Sequence, residues 1–137
     1  MADVSITATE VQPGTGAILK HGIAGAAITP GQPLYRSGGK LLPADADVEL
    51  SAAVVGISVN GASADGQPIT YQDDGVVTLG TSAAMVVGTT YVVSTTAGGI
   101  APQADLAAGD YVTVLGAART AGTLKLAISV TGVTVPA

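Results

Sequence analysis

Residues 28–45 read ITPGQPLYRSGGKLLPAD, and residues 85–105 read MVVGTTYVVSTTAGGIAPQAD. In both stretches an apolar segment passes through a Gly turn to a Tyr-bearing strand that ends in Ser. A Gly-Gly hairpin, a Pro and an Asp follow in both, and Gly supplies the positive φ that tight hairpins need. The shared order predicts a duplicated β-module of about 57 residues, in which Tyr35 corresponds to Tyr91 or Val92. The alternative is that the similarity is only what any Gly-rich β-protein shows between its own segments.

Short runs of Val, Ile, Thr and Tyr between Gly, Pro and Asp recur along the whole chain, a pattern typical of β-strands. They predict strands at residues 4–8, 17–23, 33–36, 54–59, 69–71, 76–79, 91–94, 111–115 and 123–130. Helix is expected only as short pieces within residues 44–53 and 102–108, because no longer window has helical periodicity. Asp73, Asp74 and Gly75 are predicted to form a hairpin turn.

The predicted fold is therefore all-β, a small β-barrel or β-sandwich built from two similar modules, residues 17–80 and 81–137. Whether the modules form one barrel or two stays open. Residues 1–16 lie outside the repeat and are predicted to form an extended N-terminal arm that contacts a neighbour. An ordinary edge strand of the chain's own sheet is the alternative.

Composition limits the classes of function. The 137 residues are 47% hydrophobic and 11% charged, with no Phe, Trp or Cys, so the core must consist of Val, Ile, Leu and Ala. A net charge of −5 and five scattered basic residues argue against nucleic-acid binding. No apolar run is long enough to predict a membrane span. The first residues do not resemble a signal peptide, so synthesis in a cytoplasm is expected.

Few residues could support chemistry. His21 is the single histidine and is interpreted as an edge or interface residue. The alternating carboxylates Asp45, Asp47 and Glu49 could lie on one face of an extended segment and bind calcium, or could form a solvated edge that blocks strand pairing. We interpret them as the solvated edge. No catalytic residues, cofactor, metal or small-molecule substrate is predicted, and the chain is expected not to be an enzyme.

Two longer stretches of the sequence allow a comparison with a known family. Residues 24–57, with AITPGQPLY and AVVGIS, and residues 104–118, ADLAAGDYVTVLGAA, resemble bacteriophage capsid decoration, or cement, proteins. The resemblance implies a mostly β-structured subunit, commonly trimeric, that sits on the outside of an icosahedral head and clamps neighbouring major capsid subunits. It implies no catalytic residues.

The predicted function is therefore that of a structural virion protein on the capsid exterior, with the major capsid protein and further copies of the chain as partners. The alternative is a tail-associated or receptor-binding β-module of a virion. A Thr- and Ala-rich surface suits a cement protein, since many weak contacts add across symmetric sites. Exposed aromatic loop tips would favour the alternative, and this sequence lacks them. The residues predicted to contact a partner are Val4, Ile6, Val11, His21 and Tyr35.

Overall fold

The computed structural model describes residues 3–136 and shows an all-β protein. Met1, Ala2 and Ala137, which the sequence assigned to the arm and to the second module, lie outside the described residues. No helix of seven or more residues occurs between residues 3 and 136. The strands are β1 (Gln12–Pro13), β2 (Ile18–Ile23), β3 (Pro33–Ser37), β4 (Lys40–Pro43), β5 (Val54–Ser58), β6 (Pro68–Thr78), β7 (Thr90–Val93), β8 (Ile100–Pro102), β9 (Tyr111–Thr120) and β10 (Thr123–Thr134).

All ten strands belong to one curled antiparallel sheet shaped like a half-barrel. Its main path runs β4-β3-β5-β6-β10-β9-β7-β8, and β1 and β2 both pair with β6 outside this path. The central strand β6 therefore pairs with four others. β2 and β5 join its first half, while β1 and β10 join its second half.

The prediction of a hairpin turn at residues 73–75 is wrong, because β6 continues through these residues as a single strand. Gly75 has φ +85°, which bends the strand without ending it. The buried side chain of Gln72 donates from Nε2 to the backbone carbonyls of Asp74 (2.8 Å) and Val76 (2.9 Å). These bonds hold the backbone on both sides of the bend at Gly75. One strand consequently replaces the two predicted at residues 69–71 and 76–79.

The two ends of the sheet have the same strand order, β4-β3-β5-β6 and β8-β7-β9-β10. They also share a register, and each inner ladder shifts at the same step. The paired residues are Pro33–Ile57, Leu34–Gly56 and Tyr35–Val54 in one ladder, and Thr90–Ala117, Tyr91–Gly116 and Val92–Val114 in the other. In this register Tyr35 takes the place of Val92, and Leu34 that of Tyr91.

The same comparison relates β2 to the second half of β6. β2 pairs with β6 at Leu19–Gln72 and Lys20–Tyr71, and β6 pairs with β10 at Val76–Lys125 and Val77–Leu124. We call β2–β5 with residues 68–72 the first half-sheet, and residues 75–78 with β7–β10 the second half-sheet. Each half-sheet thus begins with an equivalent strand, and β6 supplies both the end of one and the start of the other.

Aliphatic side chains form two core clusters, as the composition predicted. The larger one includes Leu79, Ile100, Leu115 and Leu124, and the smaller one contains Leu34, Leu41 and Ile69. Burying such a side chain stabilises the fold by about 1.5–3 kcal/mol. Two tyrosines are also buried with their hydroxyls paired: Tyr71 accepts from Arg36 Nη2 (2.9 Å), and Tyr91 accepts from the Val86 N–H (3.0 Å).

Other local predictions had mixed outcomes. The hairpin at Gly38 and Gly39 is confirmed, with φ of +59° and +81°, but strands β4 and β8 were missed because each has only three or four residues. The predicted strand at residues 4–8 is wrong, since residues 8–10 form a 3₁₀ turn. The predicted helical piece in residues 44–53 is a series of bends and turns. The piece in residues 102–108 shortens to a 3₁₀ turn, Gln103–Asp105.

Gly75→Ala should destabilise the protein much more than Gly88→Ala. The two glycines have nearly the same φ, +85° and +86°, so each substitution costs about 1 kcal/mol for the left-handed backbone. A Cβ at Gly75 would in addition overlap the carbonyl of Gly16, whereas Gly88 has open space around it. Urea unfolding of both variants measures the difference in the free energy of unfolding, and equal losses would contradict this account of β6.

Candidate functional site

The five residues predicted to contact a partner lie in two kinds of environment. Val4, Ile6, Val11 and Tyr35 are half-buried and pack against the larger core cluster of their own chain. His21 is exposed on β2, where its Nδ1 lies 3.1 Å from the hydroxyl oxygen of Thr70 on β6. Of the five, only His21 is therefore presented to solvent by an exposed strand.

Residues 3–13, which we call the N-terminal strap, cross the open side of the second half-sheet. The Val4 N–H donates to the carbonyl of Ile100 on β8 (2.7 Å), and the Thr7 N–H donates to the carbonyl of Leu79 (3.2 Å). Gln12 and Pro13 then pair with β6 as β1. The strap thus joins β8 to the end of β6 in its own chain, whereas the sequence predicted an arm that reaches away from its domain.

Side chains fasten the strap at both ends. The Ser94 hydroxyl donates to Asp3 Oδ1 (2.6 Å). Near the other end, the turn at Gly31 has no space for a side chain, because a Cβ there would lie 2.5 Å from Ile6 Cγ2 and 3.1 Å from Val11 Cγ2. Gly31 is therefore required for two reasons. Its φ is +90°, and the strap covers the place where a side chain would lie.

Glu10 forms a polar contact between the strap and the loop after β6. Its Oε1 accepts from the backbone N–H of Thr81 (2.7 Å) and from the Thr81 hydroxyl (3.0 Å), and these bonds lower the pKa of the Glu10 carboxyl. An open groove beside this contact is lined by threonines among other residues. The threonines are Thr9, Thr78, Thr81, Thr120 and Thr123.

The residues considered for chemistry serve the fold. The Gly14 N–H donates to the Val76 carbonyl (2.7 Å), and the Val76 N–H donates to the Thr15 carbonyl (2.9 Å), so the loop at residues 14–16 pairs with β6. His21 is exposed to solvent, and Thr70 is half-buried. Activation of a hydroxyl nucleophile needs a base that a third group orients, and among residues 3–136 the His21 side chain has no hydrogen bond to a group other than Thr70.

The acidic segment does not have the extended geometry that a shared face would require. Asp45 Oδ1 accepts from the Asp47 N–H (3.0 Å) and from the Ser51 hydroxyl (2.7 Å), so its carboxylate closes a turn of its own loop. Asp47 and Glu49 are exposed. Within residues 3–136 no three His, Cys, Asp or Glu side chains are grouped so that they could hold a metal ion.

Three lysines are paired with aspartates at the surface: Lys20–Asp73 and Lys40–Asp65, both at 2.6 Å, and Lys125–Asp74 at 3.4 Å. The Asp73 carboxylate raises the pKa of Lys20. The Gly75 N–H and Lys125 lower the pKa of Asp74. Because these pairs are exposed, solvent and salt screen them and each contributes little to stability. Within residues 3–136, three of the five basic side chains are therefore paired with carboxylates.

Exposed apolar side chains form the remaining candidate binding surfaces. Four groups stand out: Ile18, Leu19 and Ile23 on β2 (50%, 43% and 42% exposed), Val48 and Leu50 in the acidic loop, Val86 and Val87 in a turn (62% and 65%), and Val130 and Val133 on β10. The Val86-Val87 turn is closed by a bond from the Thr89 N–H to the Val86 carbonyl (3.0 Å). Contiguous apolar patches are the kind of surface that contacts other proteins, whereas single exposed apolar residues are common on any protein.

Neither a comparison with known protein families nor a comparison with curated proteins finds a match for this sequence. No helix among residues 3–136 has both the length and the apolar character needed to cross a membrane.

Sequence reasoning missed the exposed valines at positions 86 and 87. The repeat assigned them to the apolar segment before a strand, and an apolar pair there is as compatible with a core as with a surface. The Gly88 that follows was a usable signal, because a Gly after two valines favours a turn.

Removing residues 2–12 should destabilise the folded domain. Val4, Ile6 and Val11 each bury part of an aliphatic side chain, which together corresponds to about 3 kcal/mol of unfolding free energy. Urea unfolding compares the truncated chain with the full chain, and Val133→Ala serves as a control for loss of an exposed side chain. Unchanged stability of the truncated chain would show that the strap is not part of the core.

Glu10→Gln should reduce stability at neutral pH but not in acid. Because folding lowers the pKa of Glu10, its ionised form contributes stability above the ordinary carboxyl pKa, and this contribution is lost as the pH falls through the lowered pKa. Melting temperatures of wild type and variant should therefore converge on acidification. Glu49→Gln, in an exposed loop, is the control. Convergence of equal size in both variants would contradict the role of the Thr81 contact.

Proposed function

We propose that this protein is a structural phage head protein that binds the outer surface of the capsid and stabilises contacts between major capsid subunits. The exposed valines at positions 86 and 87 and the similar apolar groups on β2, β10 and the acidic loop are the observation on which the proposal rests. A rigid sheet with several small apolar contact groups suits repeated docking on a symmetric shell. The resemblance of residues 24–57 and 104–118 to capsid decoration proteins points in the same direction.

The proposal assigns no catalytic step, cofactor or nucleic acid to the protein. Its partners are the major capsid protein and further copies of the chain, for which the resemblance implies a trimer, and its location is the exterior of the virion. Adding many subunits compensates for a modest affinity of each, because contacts made together raise the effective concentration of the rest.

We also propose that the two half-sheets are duplicated β-modules. Their common strand order, their common register and the shared ladder shift after Leu34 and Tyr91 support this. Backbone bonds agree as well: the Gly31 N–H donates to the Ser58 carbonyl, and the Gly88 N–H donates to the Ala118 carbonyl. On this proposal the boundary between modules lies within β6, near Gly75, rather than at residue 80.

The N-terminal arm expected from the sequence is compatible with the observed strap contacts only if neighbouring subunits exchange their straps. In such an exchange, the strap of one subunit fills the same place in its neighbour, a low-cost route to oligomers. Residues 14–16 would serve as the joint. Loss of stability in an isolated truncated subunit, as predicted above, is expected with or without exchange.

A tail-associated or receptor-binding module is the second candidate. The exposed tip formed by Val86 and Val87 favours it, since a loop tip can enter a pocket of a receptor. The tip contains no aromatic side chain, and aromatic residues dominate the energetics of many such contacts.

Co-sedimentation with capsids that lack the protein tests the proposal. Wild type should bind saturably, with a fixed number of copies per shell. Val87→Lys, Val133→Lys and Leu50→Lys place the same charge in three of the apolar groups, so each serves as a matched control for the others. At least one should weaken binding about tenfold or more while the melting temperature is retained. Failure of wild type to bind capsids, with binding to purified tails instead, would favour the second candidate.

A further inference from the structure

The acidic loop, residues 46–52, is held against the start of β9. The Tyr111 N–H donates to the carbonyl of Ala46 (2.9 Å), at the beginning of the loop. The Thr113 hydroxyl donates to the carbonyl of Ala52, at its end. Both ends of the loop are therefore attached to the first residues of β9, and the exposed residues between them project from this end of the sheet.

The same loop reaches the end of β10, so two of the exposed apolar groups lie on one surface. Val130 of β10 is the ladder partner of Thr113, to which the loop is bonded. A Cβ at Gly132 would lie 3.6 Å from Oε2 of Glu49. We call the combined surface the acidic patch. Its exposed residues are Asp47, Val48, Glu49, Leu50, Val130 and Val133.

A second apolar surface lies near the other end of β9. The turn that contains Val86 and Val87 is attached there, because the Gly88 N–H donates to the carbonyl of Ala118 (3.0 Å). Arg119 follows in β9 and is exposed. We call Val86, Val87 and Arg119 the valine tip. At about 3.4 Å per residue, residues 113 and 119 are about 20 Å apart along the strand, so the tip and the acidic patch do not meet within one chain.

These two surfaces carry the charged side chains that have no partner in their own subunit. Among residues 3–136, every Lys, Arg, Asp and Glu side chain except three has a hydrogen bond, an ion pair or another electrostatic interaction with a neighbour. The three exceptions are Arg119 at the valine tip and Asp47 and Glu49 in the acidic patch. The subunit thus leaves opposite charges unpaired at its two apolar surfaces.

The valine tip and the acidic patch are complementary in charge and alike in exposing aliphatic side chains. A contact between two acidic patches would bring four carboxylates together, and a contact between two tips would oppose two guanidinium groups. Such like-charge contacts are unfavourable. A contact between a tip and a patch instead brings Arg119 to Asp47 and Glu49 while the aliphatic side chains are buried. The occupant that each surface fits is therefore the other surface of a second copy.

We propose that copies of this protein associate head to tail, with the valine tip of one subunit packed on the acidic patch of the next. The contact is heterologous, and repetition about a rotation axis closes such contacts into a ring. It rests on the proposed function only in taking copies of the chain as partners. The two can fail separately: self-association without capsid binding would overturn the proposed function alone, and capsid binding by a subunit that stays monomeric would overturn head-to-tail association alone.

Charge reversal tests which surfaces meet. In sedimentation equilibrium the isolated wild type should exceed the 13.2 kDa chain mass as concentration rises. Arg119→Glu should weaken the association about tenfold or more, and so should Asp47→Lys combined with Glu49→Lys. A variant with all three changes should regain it, because its charges are again opposite. Lys40→Glu changes the net charge as much as Arg119→Glu but lies outside both surfaces, so it should have little effect. Circular dichroism checks that each variant folds.

Cross-linking tests that the contact is head to tail. The chain has no cysteine, so each single-cysteine variant has one thiol. A short bismaleimide should join Val87→Cys to Leu50→Cys in a mixture, and should join neither variant to itself at a comparable rate. Ile18→Cys, on exposed β2, is the control and should not be joined to Leu50→Cys. A wild type that stays monomeric, a triple charge variant as weak as its parents, or Val87→Cys joined to itself as fast as to Leu50→Cys would each overturn the proposal.

Discussion

Everything in this structure depends on the continuity of β6 through its bend at Gly75. An eleven-residue strand is long enough to pair with four others, but only because its halves face different partners. The bend requires a positive φ, a close approach to Gly16 and the buried amide of Gln72 across two carbonyls. With β6 intact, both half-sheets share one backbone ladder and curl into one half-barrel.

Small aliphatic side chains are sufficient for the core because the backbone hydrogen bonds of the sheet hold most of the chain in place. Without Phe or Trp, no single residue supplies the apolar area that an aromatic ring does. The strap adds to the larger cluster by covering the second half-sheet with Val4, Ile6 and Val11. The large apolar side chains left outside both clusters are those of β2, β10 and two loops.

The sequence was sufficient to predict the all-β class, most of the longer strands and the Gly-Gly hairpin, because these depend on local turn chemistry and alternation. It could not predict that β6 is continuous, since Asp74 and Gly75 are as typical of a turn as of a bend, and the bonds from Gln72 are tertiary. Short strands such as β4 were missed because their pairing with β3 defines them more than their own residues do. The fate of the N-terminal residues was likewise undetermined locally: an alternating Val4-Ser5-Ile6-Thr7 segment fits an arm or a strap equally well. Of the predicted contact residues only His21 is exposed. The sequence could not predict this, because exposure depends on the position of each strand in the sheet.

Native-state hydrogen exchange of the isolated protein tests most directly the claim that β6 joins both half-sheets into one cooperative unit. Backbone amides in residues 68–78 should be among the slowest to exchange, and those of the first and second half-sheets should reach the same limiting free energy of opening, equal to that of global unfolding. If one half-sheet instead opened at a much lower free energy than the other, with protection in β6 divided at Gly75, the two halves would be independent units and the account would be contradicted.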